Sequence, residues 1–314
     1  MNIIVTGGAG FIGSHLSEYL VKKGHKVIAI DDLSSSTIDN IKDLLGLNSF
    51  SFIRADLSDP EVAGKYIKDV DVVYHLAANP EVRIGSQSPE ELYRLNLYMT
   101  YNILEAMKNN NIKVLGFTSS STVYGDAKVI PTPEDYGPLE PISIYGGTKL
   151  ASEAMISAYS HTFGFISISF RLANVVGKRT NHGVIYDFVN KLRRDKTRLE
   201  ILGDGTQRKS YIHVSEVVDG MYSIIERAVE EKIPYDVYNI GSEDDISVME
   251  IAKIVIDKMG LSPKIEITGG VDDGRGWKGD VKYMRLCIEK AKKRGWIPRL
   301  NSRDSIRLAV EEIL

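Results

Sequence analysis

Residues Gly7 to Gly13 (Gly-Gly-Ala-Gly-Phe-Ile-Gly) lie between a short apolar run, Asn2 to Thr6, and a stretch with helical spacing, Ser14 to Lys23, that Gly24 stops. A second apolar run, Lys26 to Ile30, ends at Asp31. Strand, glycine-rich turn, helix, strand and acid within about thirty residues narrow the choice sharply. Gly7, Gly10 and Gly13 let the backbone approach a pyrophosphate at a helix N-terminus, where free amides and the helix dipole favour negative charge. Asp31 lies 31 − 13 = 18 residues past Gly13, close to the interval of about 20 at which a carboxylate accepts hydrogen bonds from ribose hydroxyls. A 2′-phosphate would meet like charge from Asp31 and Asp32, so NAD is expected over NADP. The expected fold class is α/β, a doubly wound parallel sheet.

Further along, Val70 to Leu76 reads as a strand covered on both faces, with His75 inside it as a satisfied core imidazole. It ends in Ala77-Ala78-Asn79-Pro80, small residues past which a cofactor can cross the strand ends. Pro89 to Lys108 is expected to be one amphipathic helix carrying Asn96. Val114 to Phe117 leads into Thr118-Ser119-Ser120-Ser121-Thr122-Val123-Tyr124-Gly125, hydroxyls at the carboxyl edge where such sheets bind ligands. The segment Ser143-Ile-Tyr-Gly-Gly-Thr-Lys149 places Tyr145 and Lys149 four apart, on one face of the helix that Leu150 to Met155 continue. A phenol titrates near pH 10, so Tyr145 alone is a poor base. An ammonium beside it is expected to lower that value and make it a general base or acid.

The Gly-x-x-Gly-x-x-Gly spacing together with Tyr-x-x-x-Lys resembles the extended short-chain dehydrogenase/reductase family, over nearly the whole chain, and within it the nucleotide-sugar enzymes of the epimerase/dehydratase group. The resemblance implies a Rossmann-type NAD-binding domain over 1–172, rejoined by a strand near 237–241, and a smaller α/β lobe over 173–314 that binds the sugar nucleotide. It implies catalysis by Ser120, Tyr145 and Lys149, with Ser119 or Ser121 in place of Ser120 if the register slips. It extends the cofactor cradle to Phe11, Ile12, Leu33, Ser35, Ser36, Asp56, Leu57, Leu76, Ala77, Ala78, Ser119 and Asn96, although a solvent-facing Asn96 stays open. Asn174 is implied at the substrate diphosphate and Val184 at the nucleotide base.

Two departures mark the second half. Where relatives carry Thr-Arg-Asp before Tyr-Ile-His, this chain has Arg208-Lys209-Ser210, leaving open which cation takes phosphate. Arginine grips two phosphate oxygens, whereas lysine acts as a point charge. Relatives carry Arg-Pro-Gly-Asp where this chain has Trp277-Lys278-Gly279-Asp280, so Arg275 is expected to reach the diphosphate instead. Met284 stands where some relatives place a tyrosine that closes the sugar pocket.

The implied reaction is 4-epimerisation of a UDP-hexose, UDP-galactose and UDP-glucose, through a 4-keto sugar. A dehydratase commonly needs Asp-Glu after the catalytic hydroxyl, and here Ser121 and Thr122 follow. A UDP-glucuronate epimerase or decarboxylase needs one carboxylate-binding cation, for which Arg83 is a candidate. A non-catalytic NAD-binding regulator would be expected to lose Tyr145 or Lys149, and both are present. A net charge of −3 gives no field for nucleic acid, and one cysteine, Cys287, points to a reducing compartment, the cytoplasm by default. No apolar run approaches the length of a membrane span and no metal site is expected. The helices near 90–108 and 150–163 are expected to pair two copies into a homodimer.

Overall fold

The computed structural model describes residues 1–82, 85 and 87–314. Strands β1 (Asn2–Thr6), β2 (Lys26–Asp31), β3 (Phe50–Arg54), β4 (Val72–His75), β5 (Val114–Ser120) and β6 (Ile166–Leu172) form one parallel sheet. Its helices in chain order are α1 (Phe11–Lys22), α2 (Pro60–Tyr66), α3 (Pro89–Leu92), α4 (Met99–Asn109) and α5 (Ile144–Phe163). The two-residue period of the strands divides the core between the two faces. Ile3, Val5 and Tyr74 pack with Leu16 and Leu20 of α1, whereas Ile4, Val73 and Phe117 pack with Ile103 of α4 and Ile156 of α5.

The second half adds β7 (Asn174–Val176), α6 (Val184–Arg194), β8 (Arg198–Ile201), β9 (Arg208–Lys209), β10 (Tyr211–His213) and α7 (Val214–Glu231). Then come β11 (Tyr235–Ile240), β12 (Ile246–Ser247), α8 (Val248–Met259), β13 (Lys264–Ile267), β14 (Tyr283–Met284), α9 (Glu289–Lys293) and α10 (Ser302–Ile313). β11 returns to pair parallel with β6, which gives a seven-stranded sheet in the order β3-β2-β1-β4-β5-β6-β11. α7 lays Val217, Met221 and Ile225 on the same face as α1. A separate core of Phe188, Leu192, Leu199, Ile251, Val255 and Ile306 holds α6, α8 and α10 around the paired β8 and β13. No described helix is long and apolar enough to cross a membrane.

The expected helix over Pro89 to Lys108 is interrupted. Between α3 and α4 the chain makes a π turn over Tyr93–Tyr98, and the carbonyl of Asn96 within it accepts from the hydroxyls of Thr100 and Ser152. Helical periodicity hides such a turn because it adds only one residue to the repeat. β5 also runs further than its apolar residues indicate, through Ser120, because Thr118 to Ser120 pair with Phe170 to Leu172 of β6.

Candidate functional site

The strand order reverses between β1 and β4, and at their carboxyl ends the two following turns meet, the crevice where open α/β sheets take ligands. A Cβ on Gly7 (φ +65°) would lie 2.8 Å from the Ala77 amide nitrogen, and one on Gly13 would lie 2.0 Å from the Gly7 carbonyl oxygen. These glycines are therefore required by close backbone approach. Gly10 caps α1 with no side-chain hydrogen bond, so no side chain competes for the first amides of the helix at Phe11, Ile12 and Gly13. At the end of β2, Asp31 accepts from the amides of Ala9 (3.1 Å) and Leu33 (2.9 Å) and from Ser36 Oγ (2.7 Å). A carboxylate offers about four acceptor positions, so Asp31 both ties the turn together and retains capacity for a ribose hydroxyl. Asp32 instead accepts from the amide and hydroxyl of Ser34, and the Ser35 carbonyl accepts from Asn181. Asp56 accepts from the Ser58 amide and pairs with Arg94 at 3.4 Å, and Leu57 is buried behind it.

Thr6 Oγ1 accepts from the amides of Leu76 and Ala77, which pins the start of the β4 turn to β1. The same hydroxyl meets His75 Nδ1 at 2.8 Å, while His75 Nε2 meets Thr100 Oγ1 at 3.0 Å. Burial, with Lys149 nearby, pushes the His75 pKa down to about 3, so it is a neutral core imidazole. Asn96 is 1% exposed, which removes the solvent-facing alternative. Its side chain accepts from the Asn79 amide (2.8 Å) and donates to the Asn79 carbonyl and to Thr148 Oγ1 (both 3.3 Å). It thus clamps the turn containing Ala77 and Ala78 to the helix of Tyr145. Ala78 itself is half-buried in that turn.

Ser143 caps α5 by accepting from the Gly146 amide, so Tyr145 sits in the first turn and Lys149 one turn deeper. Ser120 Oγ accepts from Thr122 N (3.2 Å) and Thr122 Oγ1 (3.0 Å), which leaves its own proton free, and its hydroxyl favours the ionised form of Tyr145. Lys149 is 3% exposed, donates to the Thr118 carbonyl at 2.8 Å, and holds its Nζ 5.9 Å from the Tyr145 ring centre. The expected electrostatics are reversed in the protein alone. Burial pushes the Tyr145 phenol up to about 12 against the Ser120 hydrogen bond. Burial likewise lowers Lys149 to about 7, although Glu153 raises it. Desolvation outweighs the mutual attraction that the i, i+4 spacing suggests.

Two further candidates direct their side chains to partners within the protein. Ser119 does not offer its hydroxyl to the crevice: it donates to Glu153, which is ion-paired at 2.7 Å with Arg171. Register explains this, since Ser119 lies directly opposite Arg171 on β6. Arg208 turns away on the solvent side and pairs with Asp245 (2.6 Å) and Glu250 (3.4 Å). Lys209, next along the two-residue strand, points inward to Asp280 at 2.6 Å with its Nζ 5.6 Å from the Trp277 ring centre. Arg275 donates to both Asp126 carboxylate oxygens (3.1 and 2.8 Å) and to the Asp280 carbonyl. It therefore bridges the second half of the chain to the turn that follows Tyr124. Asn174 donates to the Ser210 carbonyl, Val184 opens α6 half-buried against the core of the second half, and Met284 is buried in register with Lys209. Arg83 lies outside the described residues. Among the described residues no group of three His, Cys, Asp or Glu side chains is placed to hold a metal ion.

A turn built to admit a pyrophosphate, an acid at the end of β2 and a Ser-Tyr-Lys cluster at the end of β5 lie along the carboxyl edge of one sheet, an arrangement suited to an enzyme that uses a nicotinamide dinucleotide. The NAD dependent epimerase/dehydratase family model matches residues 3–241, and the chain belongs to that family as an NAD-using enzyme of epimerase type. It is 41% identical to a UDP-galactose 4-epimerase of known crystal structure, with a TM-score of 0.89 over 99% of this chain and 98% of that one. It is 30% identical to the UDP-glucose 4-epimerase of Mycolicibacterium smegmatis over 99% of this chain and 98% of that protein. It is also 30% identical to a Bacillus cereus UDP-glucuronic acid 4-epimerase solved with UDP-glucuronic acid and NAD, with a TM-score of 0.89 over 99% and 98% of the two chains.

Proposed function

We propose that the protein interconverts UDP-galactose and UDP-glucose by 4-epimerisation. The observation that carries this reading is the Ser120–Tyr145–Lys149 cluster with Thr122 Oγ1 bonded to Ser120, a hydroxyl where a dehydratase needs an acid. Bound NAD supplies the acceptor and donor of the hydride. Gly7, Gly10 and Gly13 and the first amides of α1 would hold its pyrophosphate, and Asp31 its ribose. Tyr145, as phenolate, takes the proton from the sugar 4-hydroxyl, and Ser120 orients that oxygen. Burial holds the free phenol near 12, so the phenolate forms only with positive charge beside it, which protonated Lys149 supplies and an oxidised nicotinamide would add to when bound. The flat 4-keto sugar then presents its other face and takes back hydride there and a proton from Tyr145. Lys209 and Arg275 anchor the diphosphate, exchanging Asp280 and Asp126 for phosphate oxygens, while the sugar itself is held loosely enough to turn.

Proton NMR of the purified protein with UDP-galactose and no added nicotinamide is expected to show UDP-glucose. No conversion, even with NAD supplied, refutes the reading. The similarity to a UDP-glucuronic acid 4-epimerase favours UDP-glucuronate as the second substrate to offer. The reading includes a cytoplasmic setting and a homodimer through α4 and α5, beside which Tyr93, Tyr98 and Tyr101 form a stacked row, with Tyr93 and Tyr101 open to solvent. A sedimentation mass of 34.9 kDa at micromolar concentration refutes the dimer.

A further inference from the structure

One carboxylate lies at the junction of everything the Ser-Tyr-Lys cluster depends on. Glu153 is four residues past Lys149 on α5 and 3% exposed. It accepts from Ser119 Oγ, and from Arg171 through Nε (3.1 and 3.3 Å) and Nη2 (2.7 Å). Arg171, 4% exposed, also donates to the Glu134 carbonyl at 3.1 Å and lies 4.7 Å over the Tyr124 ring. A fully buried ion pair is a poor source of stability, because desolvation consumes most of the attraction and an apolar pair of similar size serves as well. Its position suggests another role. Ser119 immediately precedes Ser120, so Glu153 ties the strand of Ser120 to the helix of Tyr145 and Lys149.

We propose that Glu153, held by Arg171 and Ser119, is a positioning residue that keeps Lys149 protonated against the Thr118 carbonyl and fixes the end of β5 relative to α5. The charged and titratable groups around Lys149 are few. Tyr145 and Glu153 face it from α5 and His75 from β4, with Arg171 on β6 and Tyr235 on β11 behind Glu153. His75 is neutral across the working range. Tyr145, Tyr235 and Tyr124 are all pushed above the ordinary phenol range, by burial foremost. Glu153 is thus the one anion beside Lys149 among these groups, and it opposes the burial that drives the lysine's proton away. Lys149 and Arg171 against Glu153 leave the buried cluster with one net positive charge, the sign that favours a phenolate at Tyr145.

The role assigned to Lys149 rests on the proposed epimerase reading, so the test has an arm that does not. Glu153→Gln keeps the shape and removes the charge. Glu153→Gln with Arg171→Met removes both charges, so no unpaired cation is left to unfold the protein. In Glu153→Gln the alkaline limb of the kcat pH profile is expected to move down by about one pH unit, about a tenfold loss at pH 8.5 with a much smaller loss at pH 6.5, and in the double variant, which removes the Arg171 cation too, it moves in the same direction by less. The pH dependence of NADH binding, read by fluorescence on the same proteins, is expected to shift by the same amount. Folded variants with both midpoints unchanged overturn the proposal, because a merely structural pair changes the amount of folded protein and leaves the midpoints alone. If the unmodified protein fails to epimerise while the NADH midpoint moves, the epimerase reading falls and the role of Glu153 stands.

Discussion

Replacing Lys149 by methionine is expected to stabilise the NAD-free protein at neutral pH, and to do so progressively less as the pH rises. Burial lowers the lysine from its ordinary 10.5 to about 7 in the folded protein, with Glu153 opposing the shift. Between those two values the unfolded chain binds a proton that the folded chain does not, so the stability of the parent rises with pH across that window. Below about 7 the lysine is charged in both states and the cost of burying it is fully present. Over the interval from 7 to 10.5 the cost sums to about 5 kcal/mol at 1.36 kcal/mol per pH unit, and at pH 9.5 about 1.4 kcal/mol remains. The variant also loses the 2.8 Å hydrogen bond to the Thr118 carbonyl, worth about 0.5–1.5 kcal/mol for the neutral amine at any pH, the extra strength of the charged donor being already contained in the folded pKa. The readout is therefore the slope. With an unfolding entropy of about 2.1 cal/mol/K per residue, the difference in melting temperature between variant and parent should close by about 5 °C from pH 6.5 to 9.5. Calorimetric scans of both proteins across that range measure it directly. A constant difference would mean that Lys149 keeps its proton to pH 9.5 and that burial does not govern this site.

Arg208→Ala is expected to leave UDP affinity within about twofold and stability within about 1 kcal/mol, because exposed pairs such as those with Asp245 and Glu250 contribute little. Lys209→Ala and Arg275→Ala should each weaken UDP binding by about tenfold or more in calorimetric titration, as expected for a lost charged contact; unchanged affinity for Arg275→Ala would make it a bridge to Asp126 and nothing more. Asn96→Ala removes the acceptor of the Asn79 amide. At about 2 kcal/mol for a buried group left unsatisfied, it should lower the melting temperature by about 3 °C and weaken NAD binding measured by NADH fluorescence; an unchanged NAD affinity would show that the clamp does not serve the cofactor.

The fold was legible because its governing signals are local. The glycines of the first turn, Asp31 and the continuous apolar runs of β1, β2 and β4 each belong to a single element or turn, and the sheet follows from them. The Tyr145–Lys149 pair was legible for the same reason, being a spacing along one helix. Its electrostatics were not, since burial is a property of what packs around α5 and carries no trace in the spacing. The direction of Arg208 against Lys209 was likewise hidden, because two residues adjacent in a strand face opposite ways and only the pairing of β9 with β12 and β14 decides which faces inward. Glu153 had a faint signal in its place four residues past Lys149. Its partners Arg171 and Ser119 come from strands that meet only in the assembled sheet. The π turn around Asn96 left no mark that a helical period reveals.

The return of β11 to the large sheet bears on how the chain is made. β6 ends at Leu172 and its partner begins at Tyr235, 235 − 172 = 63 residues later. A nascent chain leaving the ribosome therefore presents an open edge at β6, with Ile168 and Phe170 lacking the cover that α7 and β11 supply, until most of the second half has been synthesised. The seven-stranded sheet is complete only once β11 has been made. Exchanging the second half for a relative's therefore also replaces β11, an edge strand of the seven-stranded sheet.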